Sequence, residues 1–572
     1  MSDLARVGSE DALRQQGVSR GLVGWVCTQN PFYVISALLV CLGLWVSFGS
    51  QVVASQTWAL LLGMTAYTLL LAVTACLLVR CVGVWDDVRT VLLLVVLMFL
   101  ATSVTFDEVL ARNPSRGMAC YVAGLLFAVS VSEWMLRGMR LKLPPLFRAP
   151  YYLTLGLFYL YPVAITPLLE RPRSETLYWA LFGFTPAAGL VALSLLPAVR
   201  RGRQYVEENG SPWPWAWYPW TLFGLLALAV PARSALLCWS MHHVARAESE
   251  PYIFGWYFLA PFLLAVGVVL LELGLVERKP STVRFALCLP AVATALALLG
   301  HRPEEFYQEF LAHFNARLGG TPLYLSLFVS ALFYTYAALR RGGAATDALT
   351  ATLVFLSVVA PGTLDLKGVV SPRPLPVLAV AALQLGLGLR RRDAWRCLLG
   401  AVCLVGAACL VMPAGGASSQ RGPVAFHLVL LATLSVGAAF DDALGRLLRG
   451  AGSALGVGAG LAVITGWAGR DAGLPGWVVT LYPLSVAALI AGYGLLLDHR
   501  TSLAFAALVV AVWLLAGVWH GYAILRRVVV GLDFIAIGMV VFSLAVLTSL
   551  AKGGVLPWRL TPAKGKMTHS SE

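Results

Sequence analysis

Charged side chains inside apolar stretches are the residues of this sequence best placed to bind a ligand. Arg233 lies in "LALAVPARSALLCWS" and Asp533 in "VVVGLDFIAIG". A charge within a hydrocarbon environment is costly, and such residues typically mark substrate or ion pathways. Both are predicted at similar depth below the outer end of their spans, so we expect them to pair around an anionic group. A purely structural ion pair, or snorkelling of both side chains to water, is the alternative.

Two tyrosines are predicted to add hydroxyl groups to the same cavity. Tyr152 and Tyr159 are seven residues apart and therefore share one face of a helix. Prolines are dense in the neighbouring spans, and each proline removes one backbone hydrogen bond of a helix. We therefore expect broken helices and place the cavity among the five spans that begin near residues 150, 177, 219, 252 and 282.

Adjacent carboxylates define a second candidate site, which would belong to an enzyme. Asp107 and Glu108 are predicted to lie in the second external loop, where paired carboxylates could bind a metal or transfer a proton. The alternative is that they cap a helix, because carboxylates accept hydrogen bonds from the free N–H groups of its first turn. The sequence has no HExxH motif, no cysteine and histidine cluster with zinc spacing, and no phosphate-binding GxxxxGK[ST] loop. It therefore predicts no metal, no cofactor and no direct use of ATP.

The elements that must position these residues are membrane helices. Of the 572 residues, 59% are hydrophobic and only 12% are charged, whereas a soluble protein has roughly 25% charged residues. Apolar runs of about 20 residues, the length of a membrane span, recur along the chain. The sequence predicts an all-α polytopic fold with about 18 spans (16 to 18) and no soluble domain. The net charge of +14 sits mainly at span ends, which favours contact with lipid headgroups over nucleic acid.

The alternation of basic residues predicts the topology. Most Arg and Lys residues fall in the segments on the same side as the N-terminus, so we expect both termini in the cytoplasm. The predicted parts are a cytoplasmic N-terminal segment (1–30), spans 1–7 (31–240), spans 8–11 (241–372), spans 12–18 (373–551) and a cytoplasmic tail (552–572).

An inverted repeat is a further hypothesis. "FDEVLAR" (106–112) resembles "FDDALGR" (440–446), and two flanking pairs of stretches match in the same order. The offset of eleven spans is odd, so the two seven-span copies would face opposite ways, as in many secondary transporters. The alternative is chance similarity in a chain rich in Leu and Ala, with both stretches acting only as helix-boundary signals.

An amphipathic helix is expected in the longest internal polar stretch, residues 301–320. Phe306, Phe310 and Phe314 recur every fourth residue, which suggests a helix lying on the membrane surface. Packing on the protein itself, or service as a lid, are the alternatives.

Three functions remain open from the sequence. The first is movement of a small anionic or lipid-linked solute across the membrane without direct use of ATP. The second is a membrane-embedded transferase that acts on a lipid-linked substrate at Asp107 and Glu108. The third is a non-catalytic scaffold that binds other membrane subunits. The excess of Arg, Ala and Gly suggests a GC-rich bacterial genome, and hence the bacterial cytoplasmic (inner) membrane.

Overall fold

The structure is a computed structural model of the full chain, and it is built of helices. It describes residues 32–48, 54–83, 85–169, 175–209, 219–244, 254–299, 305–340, 343–363, 370, 372–412, 418–468, 475–529 and 531–552. Helices make up 91% of these residues, and no strand occurs among them. The all-α fold predicted from the sequence is thus confirmed.

Twenty α-helices are found in the described part of the chain. In order they are α1 (Phe32–Phe48), α2 (Ala54–Leu77), α3 (Asp86–Arg112), α4 (Pro114–Gly138), α5 (Pro145–Leu169), α6 (Glu175–Leu193), α7 (Leu196–Asn209), α8 (Trp220–Cys238), α9 (Ala260–Val276), α10 (Pro280–Leu299), α11 (Glu305–Leu318), α12 (Pro322–Leu339), α13 (Gly343–Val358), α14 (Pro374–Arg391), α15 (Ala394–Val411), α16 (Ser418–Ala439), α17 (Ala443–Ala468), α18 (Gly476–Leu496), α19 (Arg500–Val528) and α20 (Leu532–Lys552). Helices α2 and α8 continue as the π-helical turns Leu78–Val82 and Trp239–Val244, and a 3₁₀ turn, Trp256–Leu259, precedes α9.

Fifteen helical stretches in the described residues are long and apolar enough to cross a membrane. The chain is therefore a multi-pass membrane protein in contact with the lipid bilayer. Two further apolar helices, Phe32–Leu44 and Gly343–Val358, are shorter than a typical span. The figure of about 18 spans remains a prediction, because these two and α14 are helical but are not among the fifteen.

The sequence predicted helices broken at prolines, but these helices are continuous. Pro162, Pro186 and Pro231 lie inside α5, α6 and α8, each of which continues through its proline. At Pro186 the carbonyl of Phe182 loses its helical partner; Thr185 Oγ1 lies 3.3 Å from it, but the same hydroxyl is closer to the carbonyl of Phe258. Each helix therefore continues through its proline with one backbone hydrogen bond fewer.

The chain divides into two compact units, Met1–Pro376 and Val377–Glu572. The two stretches that suggested the repeat differ in local structure. Residues 106–112 are the last two turns of α3, whereas residues 440–446 span the turn that begins α17. There Asp442 caps α17, because its carboxylate accepts a hydrogen bond from Gly445 N at 2.7 Å. The repeat therefore remains a hypothesis.

Helix α11 is the amphipathic helix expected within residues 301–320, but its aromatic face packs on the protein. Phe310 and Phe314 are buried, and Phe314 stacks on Trp179 of α6 with ring centroids 5.9 Å apart. Arg317 forms an ion pair with Glu175 at 2.8 Å. The expectation that this face lies on the membrane surface is thus wrong for Phe310 and Phe314, because α6 and the turn before α9 supply aromatic partners.

Candidate functional site

Four helices of the first unit, α3, α4, α5 and α8, position the candidate site. Consecutive helices α3 and α4 are antiparallel because the sequence Asn113–Pro114 ends one and begins the next. The Asn113 side chain accepts a hydrogen bond from Arg116 N at 3.2 Å, and proline suits the first turn of a helix, where no N–H partner is needed. This short connection brings the end of α3 beside the beginning of α4.

A buried ion pair joins α3 to α8. Arg233 donates from Nη1 to Asp107 Oδ2 at 2.6 Å and from Nη2 to Asp107 Oδ1 at 2.9 Å. The guanidinium thus binds the carboxylate through two parallel hydrogen bonds, the strongest geometry available to this pair. Arg233 is 2% exposed and Asp107 is 0% exposed. Both are also about five residues, or roughly 8 Å, from the end of their α-helices.

Tyr121 of α4 completes the cluster. Its hydroxyl oxygen accepts a hydrogen bond from Arg233 Nη2 at 3.1 Å, and its proton can go to Asp107 Oδ1 or to the carbonyl of Ser103, which is 2.9 Å away. Ser103 and Asp107 are one turn apart on α3 and therefore share a face. We call Asp107, Tyr121 and Arg233 the charged cluster.

Two buried polar atoms beside the charged cluster have no partner. Within the described residues, neither Arg233 Nε nor the adjacent Ser234 Oγ makes a hydrogen bond. Buried polar groups are normally satisfied, so this donor and this hydroxyl could still bond a water molecule or a ligand atom. The cluster thus has unused hydrogen-bonding capacity although its charges are matched.

Tyr159 packs against the cluster through its ring rather than its hydroxyl. Its ring centroid is 6.2 Å from that of Tyr121, and its hydroxyl donates to the carbonyl of Phe99 at 2.7 Å. Gly124 of α4 makes this contact close, because a Cβ there would lie 2.8 Å from Tyr159 Cε1. Tyr159 therefore holds α5 to α3 about two turns from Asp107.

Tyr152 is in different surroundings. It donates a hydrogen bond to Glu133 of α4, which also pairs with Arg148. These contacts do not support the expectation that Tyr152 and Tyr159 line one cavity. The Tyr152 hydroxyl binds Glu133 of α4, whereas the Tyr159 hydroxyl binds the Phe99 carbonyl of α3. A seven-residue spacing correctly puts two residues on one face, but it also separates them by roughly 10 Å along the helix.

Asp533 has its ion-pair partner within the second unit, as Arg233 has Asp107 within the first. It lies in the first turn of α20, where its carboxylate binds Arg526 Nη2 at 3.0 Å and accepts a hydrogen bond from Tyr522. Its side chain is 42% exposed. The predicted depth was wrong because α20 begins at Leu532, so the carboxylate sits at a helix start, where the helix dipole favours negative charge.

Asp107 and Glu108 are not in a loop, and they do not face one site. Both lie within α3, and consecutive helix residues point about 100° apart. Asp107 is buried in the charged cluster, whereas the Glu108 side chain is 45% exposed and pairs with Arg112 one turn on. Hydropathy placed the end of the span too early, because the polar residues Thr102, Ser103 and Asp107 lie on its buried face.

Tyr121 and the partnership of Asp107 with Arg233 were not anticipated. The available signal was the four-residue spacing of Ser103 and Asp107, which becomes visible once "LATSVTFDEVLAR" is taken as helix up to Arg112. Tyr121 lies seven residues after Pro114 in the helix that Asn113 caps. Its distance from this end of the bundle is therefore similar to that of Asp107.

An apolar cavity lies at the opposite end of the same four helices, with about 570 Å³ of space between atoms that includes open solvent. Its walls include Leu93, Val96 and Phe99 of α3 and Met135 of α4, and Arg89 lines it near the beginning of α3. Ser132, Tyr151 and Thr221 contribute its hydroxyl groups, and those of Ser132 and Tyr151 bond each other at 2.8 Å. We call the membrane side where α3 begins the Arg89 side, and the side where it ends the Arg112 side. Phe99 links the two features, because it lines the cavity and its carbonyl binds Tyr159.

A second buried carboxylate lies at the end of α9. Glu272 is 0% exposed and binds Arg340 through two hydrogen bonds of 3.0 and 2.9 Å, with Tyr336 donating to Oε1 and Arg200 Nε 3.6 Å from Oε2. These hydrogen bonds raise the pKa of Arg340 above its usual value, so the guanidinium stays charged. The partners of Glu272 thus come from α7 and from the end of α12.

Within the described residues, no group of three or more His, Cys, Asp or Glu side chains could hold a metal ion. The chemistry open to the charged cluster is therefore that of an arginine and a carboxylate: recognition of an anion, exchange of ion-pair partners, and proton transfer. No protein-family model, curated protein sequence or solved structure matches this chain.

Proposed function

We propose that the first unit of this protein carries a small anionic or lipid-linked solute across the bacterial cytoplasmic membrane without direct use of ATP. In this proposal the charged cluster is the site whose pairing changes during transport. Both termini are assigned to the cytoplasm, which makes the Arg89 side the cytoplasmic side.

The observation that carries the proposal is the complete burial of Asp107 and Arg233 inside spanning helices. An apolar pair of similar volume would join α3 to α8 at least as stably, because it avoids the cost of removing two charges from water. Ionisable groups inside membrane spans are rare for this reason and typically serve function. The unpaired Arg233 Nε and Ser234 Oγ provide hydrogen bonds that a solute could use.

Local structure around Arg233 supports movement of α8. Pro231 removes one backbone hydrogen bond two residues before Arg233, and the helix continues as a π-helical turn from Trp239. Prolines are sites of kinking, and π-helical turns are frequent at functional positions. A small bend of α8 at Pro231 would change the distance between Arg233 and Asp107.

The transferase alternative has less support. Its metal or acid–base residues would need to face water together, but Asp107 is engaged by Arg233 and Tyr121 while Glu108 pairs with Arg112. The scaffold alternative predicts a static charged cluster, and this difference can be measured.

The test is access of water to the two ends of the bundle. In a version with all ten native cysteines replaced, single cysteines are placed at Ser132 in the cavity and at Ser234 in the charged cluster. A membrane-impermeant thiol reagent is then added to sealed vesicles from one side or the other. A carrier predicts labelling of Ser132→Cys from the Arg89 side and slow labelling of Ser234→Cys from the Arg112 side.

Leu237→Cys is the matched control. Leu237 is on α8 and is as buried as Ser234, at 1% exposure, but it is one turn nearer the helix end. Labelling at Ser234 without labelling at Leu237 shows a specific water path. If neither Ser234→Cys nor Ser132→Cys reacts in folded protein, the carrier proposal is wrong.

A further inference from the structure

The cavity on the Arg89 side combines an apolar interior with a positive charge that has no partner among the described side chains. Arg89 is half-buried, and it makes no hydrogen bond or ion pair with the residues that the structure describes. The other lining side chains are apolar except for the hydroxyl-bearing Ser132, Tyr151 and Thr221. An arginine at the rim of an apolar cavity is complementary to a ligand with an acidic head and an apolar body.

The depth of the cavity fits a single chain. Arg89 and Phe99 are ten residues apart on α3, which places the floor roughly 15 Å from the arginine. That depth is about half of the ~30 Å hydrocarbon core, or one leaflet of a bilayer.

Positive charge dominates this end of the four helices and their immediate connections. Glu133, the acid closest to the cavity residue Ser132, is already bound by Arg148 and Tyr152. Basic residues here outnumber acidic ones by six to three: Arg80, Arg89, Arg137, Arg140, Lys142 and Arg148 against Asp86, Asp87 and Glu133. Basic clusters of this kind attract anionic headgroups at a membrane surface.

We infer that this cavity binds a single-chain anionic amphiphile, with its carboxylate or phosphate at Arg89 and its hydrocarbon chain extending to Phe99. The inference deepens the proposed function by naming its substrate class, and it rests on that proposal for the step of transport. Binding itself requires no movement. Binding at the cavity can therefore be tested independently of transport through the charged cluster.

The test uses photoreactive single-chain probes and the purified full-length protein in a non-ionic detergent. Three probes share one hydrocarbon chain with a diazirine near its end, and their heads are a carboxylate, a phosphate or a neutral hydroxyl. After illumination, crosslinked peptides are mapped, and affinity is measured by competition. We expect crosslinks on α3 and α4 near Val96, Phe99 and Met135, and tighter binding of the acidic probes than of the hydroxyl probe.

Arg89→Gln is the variant that tests the head-group contact. Loss of a charge-assisted hydrogen bond is expected to weaken the acidic probe about tenfold or more and to leave the neutral probe unchanged. Arg116→Gln is the control, because Arg116 is an exposed arginine at the opposite end of α4. The ranking of the carboxylate against the phosphate probe separates a free fatty acid from a phosphorylated lipid as the source.

Val96→Phe tests the cavity without altering charge, and its thermal unfolding is compared with that of the parent protein. A folded Val96→Phe variant should lose crosslinking of all three probes at Phe99 and Met135. Equal affinity of acidic and neutral probes in the parent, with no effect of Arg89→Gln, would overturn the inference. So would crosslinks spread over the lipid-facing helices, because that result means bulk lipid rather than a site.

Discussion

Removal of one member of the ion pair should cost far more than removal of both. Asp107→Leu leaves a guanidinium buried at 2% exposure without its carboxylate, and Arg233→Met leaves the carboxylate buried without its cation. Breaking a buried pair in this way typically costs about 3–5 kcal/mol. Each single variant is therefore expected to lose about that much free energy of unfolding.

The double variant Asp107→Leu/Arg233→Met should recover most of this loss. Replacement of a buried pair by apolar residues of similar volume is often neutral or stabilising. The structure favours this outcome because Tyr121 keeps an acceptor, the Ser103 carbonyl 2.9 Å from its hydroxyl. We expect the double variant within about 2 kcal/mol of the parent, and thus a coupling of at least about 4 kcal/mol between the two sites.

The assay is equilibrium unfolding of the purified protein in mixed micelles, with denaturing detergent as the titrant. The control is the same cycle on Arg203 and Glu207, an ion pair with 86% and 62% exposed side chains, which should show coupling of at most about 1 kcal/mol. If the losses at Asp107 and Arg233 simply add, the two side chains do not act as a buried pair and the reasoning fails.

Two further predictions concern packing and the second buried carboxylate. Gly124→Ala would place a Cβ 2.4 Å from Phe106 Cε2 and should lower the free energy of unfolding by about 1–3 kcal/mol in the same assay. The control Gly156→Ala has open space around it and should be neutral or slightly stabilising. Equal effects of the two substitutions would contradict the close contact at Gly124. Glu272→Gln should cost about 1–3 kcal/mol because two arginines and a tyrosine lose a charged acceptor, whereas Glu207→Gln at the surface should cost less than about 0.5 kcal/mol. Indistinguishable values for these two carboxylates would show that the burial of Glu272 carries no energetic weight.

Composition and hydropathy were sufficient to predict the helical, multi-pass class of this protein. The length and recurrence of the apolar runs indicate that class directly. Arg233 was identified as a candidate site residue because it is a charged residue within an apolar stretch. The partner of Arg233 was harder to find. Asp107 sits among Thr, Ser and Glu near the end of α3, where hydropathy falls, so the boundary was placed too early and the residue was assigned to a loop.

Local sequence patterns could not predict which spans contact each other. Matching depth was the only argument for pairing Arg233 with Asp533, and many side chains in a bundle share a depth. Pairing requires that two helices be neighbours, which hydropathy does not encode. In the same way, the partners of Glu272, Arg200 and Arg340, are distant in the sequence. The cavity could not be predicted either, since it depends on how four helices diverge.

We propose that the charged cluster opens to water as part of its function. The labelling rate of Ser234→Cys from the Arg112 side tests this opening, when it is measured with the native pair and with Asp107→Leu/Arg233→Met. We expect slow labelling with the native pair and a clear change in rate in the folded double variant, because the pair sets the balance between closed and open states. A Ser234→Cys that stays unreactive in both proteins, each shown to be folded, would contradict it.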